Sequence, residues 1–264
     1  MKTLNFRKAI ALLALGVLAL SASVSTEVRA QAPAVDPAAT KILKRMADYT
    51  GGLKQFSVRT QSTFEDVLDS GQRVDFDVSA TAIVSRPNKI RAERKGELVD
   101  QVFYYDGKTV TLYNPTDKVY ATVPAPGTFE GMFKFIYESL GIFIPVSDLL
   151  YPNGFPLLMQ DVTLAKVIGK AFIGGIKCDH LLFSRPGVDF QVWVTDSDRP
   201  LPRKYVVTDR ETPGLLSITA VMSDWNTAPA VTDARFTFVP PKGTKAIDFM
   251  PLTVQTPTPK GGSK

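Results

Sequence analysis

The sequence predicts an α+β protein in which one large antiparallel sheet packs against a helical segment. Apolar and polar residues alternate with a period of two along most of the chain, as in strands with one dry and one wet face. Residues 124–160 depart from that pattern, because apolar residues recur there at the i, i+3, i+4 spacing of an amphipathic helix buried on one side. The members of this stripe are Phe129, Met132, Phe133, Ile136, Tyr137 and Leu140. We therefore expect strands on both sides of a helical insert.

Residues 1–30 are predicted to be a secretory signal peptide. Lys2, Arg7 and Lys8 precede an apolar run over residues 9–20, and Val28-Arg29-Ala30 forms a small-residue exit, so cleavage is expected after Ala30. The apolar run is shorter than the roughly 20 residues that a membrane-spanning helix needs. We expect a soluble mature protein in the periplasm, with no integral membrane segment after cleavage.

The charge of the mature chain does not favour a nucleic-acid partner. Residues 1–30 hold four of the 31 basic and one of the 26 acidic residues, which leaves 27 against 25, or a net charge of +2. No basic patch with interleaved aromatic residues stands out.

Residues 31–250 are predicted to form a single domain, which is long enough to bury a full core. Cys178 is the only cysteine, so no internal disulfide can form and stability has to come from packing. Residues 251–264 are rich in Thr, Pro, Gly and Lys and are predicted to be a disordered tail.

The elements follow from local signals. A first helix is expected from Pro37 to Tyr49, capped by Asp36 and ended by Gly51-Gly52. Strands are expected over residues 56–64, 73–84, 89–94, 98–105, 108–113 and 118–123.

In the insert, Thr128 is the expected cap of the amphipathic helix and Gly141 its end, and a short second helix opens at Pro145. Strands resume over residues 162–172, 177–183, 189–195, 203–208, 215–225 and 235–239.

Three stretches resemble the periplasmic lipoprotein-carrier superfamily that includes LolA and LolB. They are Arg86-Pro87-Asn88, then Asp106-Gly107-Lys108-Thr109 with Leu112-Tyr113-Asn114-Pro115, and Ala234-Arg235-Phe236-Thr237-Phe238 with Pro240-Pro241-Lys242-Gly243. The second half of the chain resembles a family of uncharacterised predicted periplasmic proteins within this superfamily. The resemblance implies a strongly curved antiparallel sheet forming an incomplete β-barrel. The N-terminal helix and the helices of residues 128–151 would cover its concave face.

The same resemblance implies an apolar cavity for acyl chains between the sheet and a helical lid. The expected lid residues are Phe129, Met132, Phe133, Ile136, Leu140 and Phe143, and the expected wall residues are Phe76, Val78 and Val84. Alternatively, the helical stripe only fills the core.

Arg86 matches the carriers' arginine that is associated with holding the lid closed. A guanidinium at a sheet rim can donate to carbonyl groups at a helix end, which gives such a latch a physical basis. The alternative is a solvated arginine at a strand end.

Cys178 and His180 share one face of a strand, so thiolate and imidazole could act together in an enzyme. The apolar surroundings instead favour a buried thiol beside a hydrogen-bonded histidine. A single histidine excludes three-histidine metal sites, and Asp196-Ser197-Asp198 lacks the glycine and distal glutamate of an EF-hand loop. No metal or cofactor is predicted.

The leading functional hypothesis is non-enzymatic binding of an acyl chain or lipidated partner, such as a lipoprotein, in the periplasm. The second is a protein-interaction or sensor module for an envelope protein, with a cavity filled by its own side chains. An enzyme that uses Cys178 and His180 comes last.

Overall fold

Alternating residues build a single sheet whose strands lie within residues 55–246. The computed structural model describes residues 34–97, 99–142, 144, 146–149, 151–212 and 214–249. The predicted signal peptide, the predicted tail at 251–264, Phe143, Pro145 and Leu150 lie outside the described residues.

Twelve strands are present in the described part of the chain. They are β1 (Gln55–Val67), β2 (Arg73–Ser85), β3 (Lys89–Gly96), β4 (Asp100–Tyr105), β5 (Thr109–Asn114), β6 (Val119–Pro124), β7 (Leu164–Ile173), β8 (Ile176–Arg185), β9 (Val188–Thr195), β10 (Pro202–Asp209), β11 (Ser217–Asn226) and β12 (Lys245–Ala246). Their order in the sheet is β12-β6-β5-β4-β3-β2-β1-β11-β10-β9-β8-β7. The two meanders, β1 to β6 and β7 to β11, meet where β1 pairs antiparallel with β11.

The sheet is open, because β12 and β7 lie at opposite ends of the strand order. The predicted α+β fold with an incomplete antiparallel barrel is confirmed. One departure is β12, a two-residue strand that pairs parallel with β6.

The two longer helices, α1 (Pro37–Gly52) and α2 (Phe129–Leu140), begin where the capping residues predict. Helix α2 also ends there, whereas α1 continues past Tyr49 through Gly51 and Gly52 to its cap at Leu53. In α1, the Asp36 carboxylate accepts a hydrogen bond of 2.8 Å from the Ala38 N–H. In α2, Thr128 Oγ1 accepts from the Gly131 N–H at 3.1 Å. Gly141 ends α2 in the left-handed region that glycine tolerates best.

The chain between α2 and β7 differs from the prediction. The expected helix at Pro145 is a short 3₁₀ turn, Ser147–Leu149, and a further helix, α3 (Gly154–Met159), follows it. The sequence did not predict α3, because Pro156 interrupts the helical pattern of apolar residues. Proline is tolerated in the first turn of a helix, where its missing N–H has no partner to lose.

The helices bury their apolar sides against one face of the sheet, here called the inner face. One continuous core joins Leu43 and Met46 of α1, Met132 and Ile136 of α2, and Leu158 of α3 to that face. Strands from both meanders contribute to this core, including the fully buried side chains of Phe56, Val84, Tyr105, Phe183, Phe190 and Met222.

The expected strand at residues 235–239 is wrong. A 3₁₀ turn, Asp233–Phe236, stands there, followed by an extended segment. The Phe238 ring lies 5.3 Å from that of Tyr104, 5.4 Å from Tyr113 and 5.0 Å from Tyr120, all on the outer face. Phe238 therefore packs its ring across the sheet and does not pair within it, and Phe236 is buried.

Phe236→Ala should lower the free energy of unfolding by about 3–5 kcal/mol, because it removes a large buried ring from a packed site. Phe236 is only 1% exposed. Urea unfolding followed by circular dichroism measures the change. Val239→Ala is the control, since Val239 lies three residues on and is 76% exposed. A similar loss in both variants would contradict the role assigned to Phe236.

Candidate functional site

An apolar cavity of about 90 Å³ lies on the inner face of the sheet. Side chains of β1, β2, β3 and β4 form its wall, and Ile142, Ile144 and Val146, from the chain that follows α2, also line it. The site therefore brings together the first meander and the insert, as a cavity between sheet and helical segment requires.

The cavity exists because the inner face carries small side chains at this place. Ala82 of β2 pairs with Ala92 of β3, and Ala80 is the next inward-facing residue of β2. On β1, Thr60 pairs with Ala80. Protein interiors are close-packed, so several small side chains at neighbouring positions leave an empty space between them.

The predicted wall residues lie at different places along β2. Val78 lines the cavity. Val84 is fully buried in the main core, and Phe76 pairs with Phe64, which does line the cavity. The alanines between Val78 and Val84 were not predicted, although small residues on the dry face of a strand were a signal that the sequence offered.

The predicted lid residues of α2 pack into the core. Phe129, Met132, Phe133 and Ile136 are buried there and Leu140 packs against it. The lining of the cavity comes instead from the residues just after α2, so the part of these five side chains in holding a lipid stays a prediction. Phe143, the sixth, lies outside the described residues.

Arg86 ties the end of α1 to the sheet and to α2. Its Nε donates to the Leu53 carbonyl at 3.0 Å and its Nη2 to the Thr50 carbonyl at 3.3 Å, both at the C-terminal end of α1. The guanidinium carbon lies 5.9 Å from the centre of the Phe56 ring and 5.8 Å from that of Phe129. Burial lowers the pKa of Arg86 to about 10, so the group is still charged at neutral pH. These contacts do not match a solvated strand-end arginine.

Cys178 and His180 lie on the outer face, in a small cluster apart from the main core. Cys178 is fully buried with Trp193 and Val206, and burial raises the pKa of its thiol, which disfavours the reactive thiolate. His180 Nε2 lies 2.9 Å from Gln191 Oε1, and the imidazole stacks on the Trp193 ring at 4.0 Å. This is the buried thiol beside a hydrogen-bonded histidine.

No group of three or more His, Cys, Asp or Glu side chains among the described residues could hold a metal ion. None of the helices in this part of the chain is both long and apolar enough to cross a membrane.

Comparison with known families gives one match that spans most of the chain. The model of a family described as "Predicted periplasmic protein (DUF2092)" matches residues 39–250. A search of curated proteins gave no match.

Several solved structures are similar to this one at low sequence identity. An uncharacterized conserved protein from Thermus thermophilus is 12% identical with a TM-score of 0.47, over 80% of this chain and 99% of that one. Lipoprotein LppX from Mycobacterium tuberculosis is 18% identical with a TM-score of 0.44, over 75% and 100%. The LolA superfamily protein NE2245 from Nitrosomonas europaea is 12% identical with a TM-score of 0.39, over 76% and 97%.

Asp148 should make the stability of the protein depend on pH. Burial raises the pKa of its carboxyl group above the ordinary 3.8, and attraction to Arg185 only partly opposes this. In the interval between the ordinary and the raised pKa, the folded chain holds a proton that the unfolded chain has lost. The free energy of unfolding should therefore fall as the pH rises through that interval.

Asp148→Asn should remove this dependence, because the amide does not titrate. Urea unfolding of the wild type and of Asp148→Asn across acidic and neutral pH measures the pH dependence of the free energy of unfolding. Asp198→Asn is the control, because Asp198 is exposed. Parallel pH profiles for the wild type and Asp148→Asn would contradict the prediction.

Proposed function

We propose a function from the premise that the chain belongs to the family of predicted periplasmic proteins, DUF2092, whose model matches residues 39–250. This family is the one that the second half of the sequence resembles. In our proposal the protein binds an acyl chain, without chemical conversion, in the cavity between the sheet and the chain that follows α2. The acyl chain belongs to a free lipid or to a lipidated partner.

The observation that carries this proposal is the apolar lining of the cavity on a rigid sheet. Ala80, Ala82, Ala92 and Ile90 offer hydrocarbon surface, and Arg94 is the one charged residue among the described residues that line it. Each methylene group buried there contributes about 0.8 kcal/mol. Ten such groups would give about 8 kcal/mol before the entropic costs of association are subtracted.

A lipid would need more room than the cavity has in this structure. Ligand pockets usually measure about 300–1,000 Å³, against about 90 Å³ here. Backbone hydrogen bonds between neighbouring strands hold the wall in place. The added space therefore has to come from the side of the cavity opposite the sheet. We therefore place the movement in the chain that bears Ile142, Ile144 and Val146.

Arg86 supports the proposal as a candidate latch, since it contacts both the end of α1 and the start of α2. It holds the end of α1 through two carbonyl groups and lies against Phe129, the first residue of α2. Loosening these contacts would free the start of α2, the helix that leads into the segment over the cavity.

The periplasm is the proposed location. The predicted signal peptide at residues 1–30 supports it, as does the description of the family.

A protein-interaction module is the second candidate, and the edge of the sheet at β7 favours it. Val35 forms a parallel bridge to Ala165 at the start of this edge, and among the described residues no strand covers the rest. Ile168 is 51% and Phe172 71% exposed on this strand. An unpaired edge with exposed apolar side chains is suited to pairing with a strand of another protein.

Ala82→Leu should block acyl-chain binding while leaving the fold intact, because the larger side chain occupies space that is now empty. We expect the affinity for a fluorescent fatty acid to fall at least tenfold. The free energy of unfolding should change by less than about 1.5 kcal/mol. Thr81→Leu is the matched control, since Thr81 is exposed on the opposite face of the same strand.

Native mass spectrometry of protein purified from the periplasm complements this measurement. Only bare wild-type protein, together with no fatty-acid displacement, would overturn acyl-chain binding and favour the interaction module. Equal weakening by both substitutions would mean that the probe does not bind in this cavity.

Arg86→Gln should speed the release of the bound fluorescent fatty acid and lower the free energy of unfolding by about 2 kcal/mol, since two carbonyl groups lose a charged donor. Stopped-flow displacement and urea unfolding measure the two effects. Arg59→Gln is the control, because Arg59 is an exposed arginine of β1 whose ion pair with Asp224 is solvated. A release rate equal to that of the wild type would count against a latch.

A further inference from the structure

Arg94 is a charged residue on the wall of an otherwise apolar cavity. It follows Ile90 and Ala92 in the inward-facing row of β3 and pairs with Ala80 of β2. Its guanidinium therefore reaches into the same space that the alanines leave open.

Within the described residues, the Arg94 guanidinium has neither an ion pair nor a hydrogen bond. No acidic side chain of this part of the chain lines the cavity. Arg94 is half-buried, and none of its guanidinium nitrogens is sealed off from solvent. Burial lowers the pKa of Arg94, and no attraction from a neighbouring group offsets that effect.

The neighbouring arginines are placed differently. Arg91, on the opposite face of β3, pairs with Glu93 and lies over the Tyr104 ring. Arg86 donates to two carbonyl groups. The donors of Arg94 are thus without a partner in the described part of the chain, unlike those of Arg86 and Arg91.

Two hydroxyl groups add to this polar side of the cavity. Thr60 and Ser62 of β1 line it, and their side chains make no hydrogen bond to another described residue. A partly desolvated guanidinium binds carboxylate and phosphate groups most strongly, because its planar fork donates two parallel charge-assisted hydrogen bonds.

We propose that the ligand is an anionic amphiphile, an acyl chain with a carboxylate or phosphate headgroup, and that Arg94 binds that headgroup. The inference rests on the proposed acyl-chain binding and adds the chemistry of the headgroup to it. A free fatty acid and a lipid phosphate supply the same charge, and the experiment separates them.

The test uses twelve-carbon ligands that differ only in headgroup: dodecanoate, dodecyl phosphate, 1-dodecanol and dodecylamine. Each competes with the fluorescent fatty acid on the full mature protein. Both anions should bind about 10- to 100-fold more tightly than the alcohol, and the amine more weakly still. Tighter binding of dodecanoate identifies a fatty acid, and tighter binding of dodecyl phosphate identifies a lipid phosphate.

Arg94→Gln should remove most of the preference for both anions over the alcohol, because the variant keeps no charge at this position. Arg94→Lys should restore part of the preference, since it keeps the charge and loses the fork. Lys95→Gln is the matched control, because Lys95 is the next residue of β3 and is exposed on the other face.

Equal binding of the anions and the alcohol to the wild type would overturn the inference and leave acyl-chain binding in place. The same holds if Arg94→Gln and Lys95→Gln change the anion affinities alike. The wild-type series is decisive even if Arg94→Gln does not fold. No binding of any twelve-carbon ligand would overturn acyl-chain binding and, with it, this inference.

Discussion

Pairing of β1 with β11 joins two meanders that are far apart in sequence into one continuous sheet. Along β1, residues from Ser57 to Phe64 pair with β11 while the other edge of the strand pairs with β2. One sheet has only one inner face, and each helix has an apolar side to bury. The helices α1, α2 and α3 therefore pack on the same face of the sheet, and their side chains form one core.

How completely that surface is covered depends on side-chain volume. Aromatic and long aliphatic residues, such as Phe183 and Phe190, fill the inner face of the second meander, where the two rings stack at 4.8 Å. On β2 and β3 the corresponding row carries Ala80, Ala82 and Ala92. The cavity is thus the consequence of a local change in residue size on an otherwise continuous face.

Charge on the inner face follows the same geometry. Arg86 lies where α1 ends, so the carbonyl groups that a helix leaves without partners satisfy it. Arg94 lies where no helix ends and the neighbouring side chains are small. The two arginines are eight positions apart, yet one stabilises the fold and the other faces the cavity, because a charged side chain takes its role from the groups that surround it.

The strand alternation, the caps at Asp36, Thr128 and Gly141, and the motif at Arg86 can all be predicted from the amino-acid sequence. Each depends on residues close together in the chain. Three other features follow only from the folded chain: Phe238 packs across the outer face, the α2 stripe fills the core, and Ala80, Ala82 and Ala92 open a cavity. Those outcomes depend on side chains from strands that are distant in sequence. A local pattern shows that a residue is apolar, but it does not show which residues it packs against.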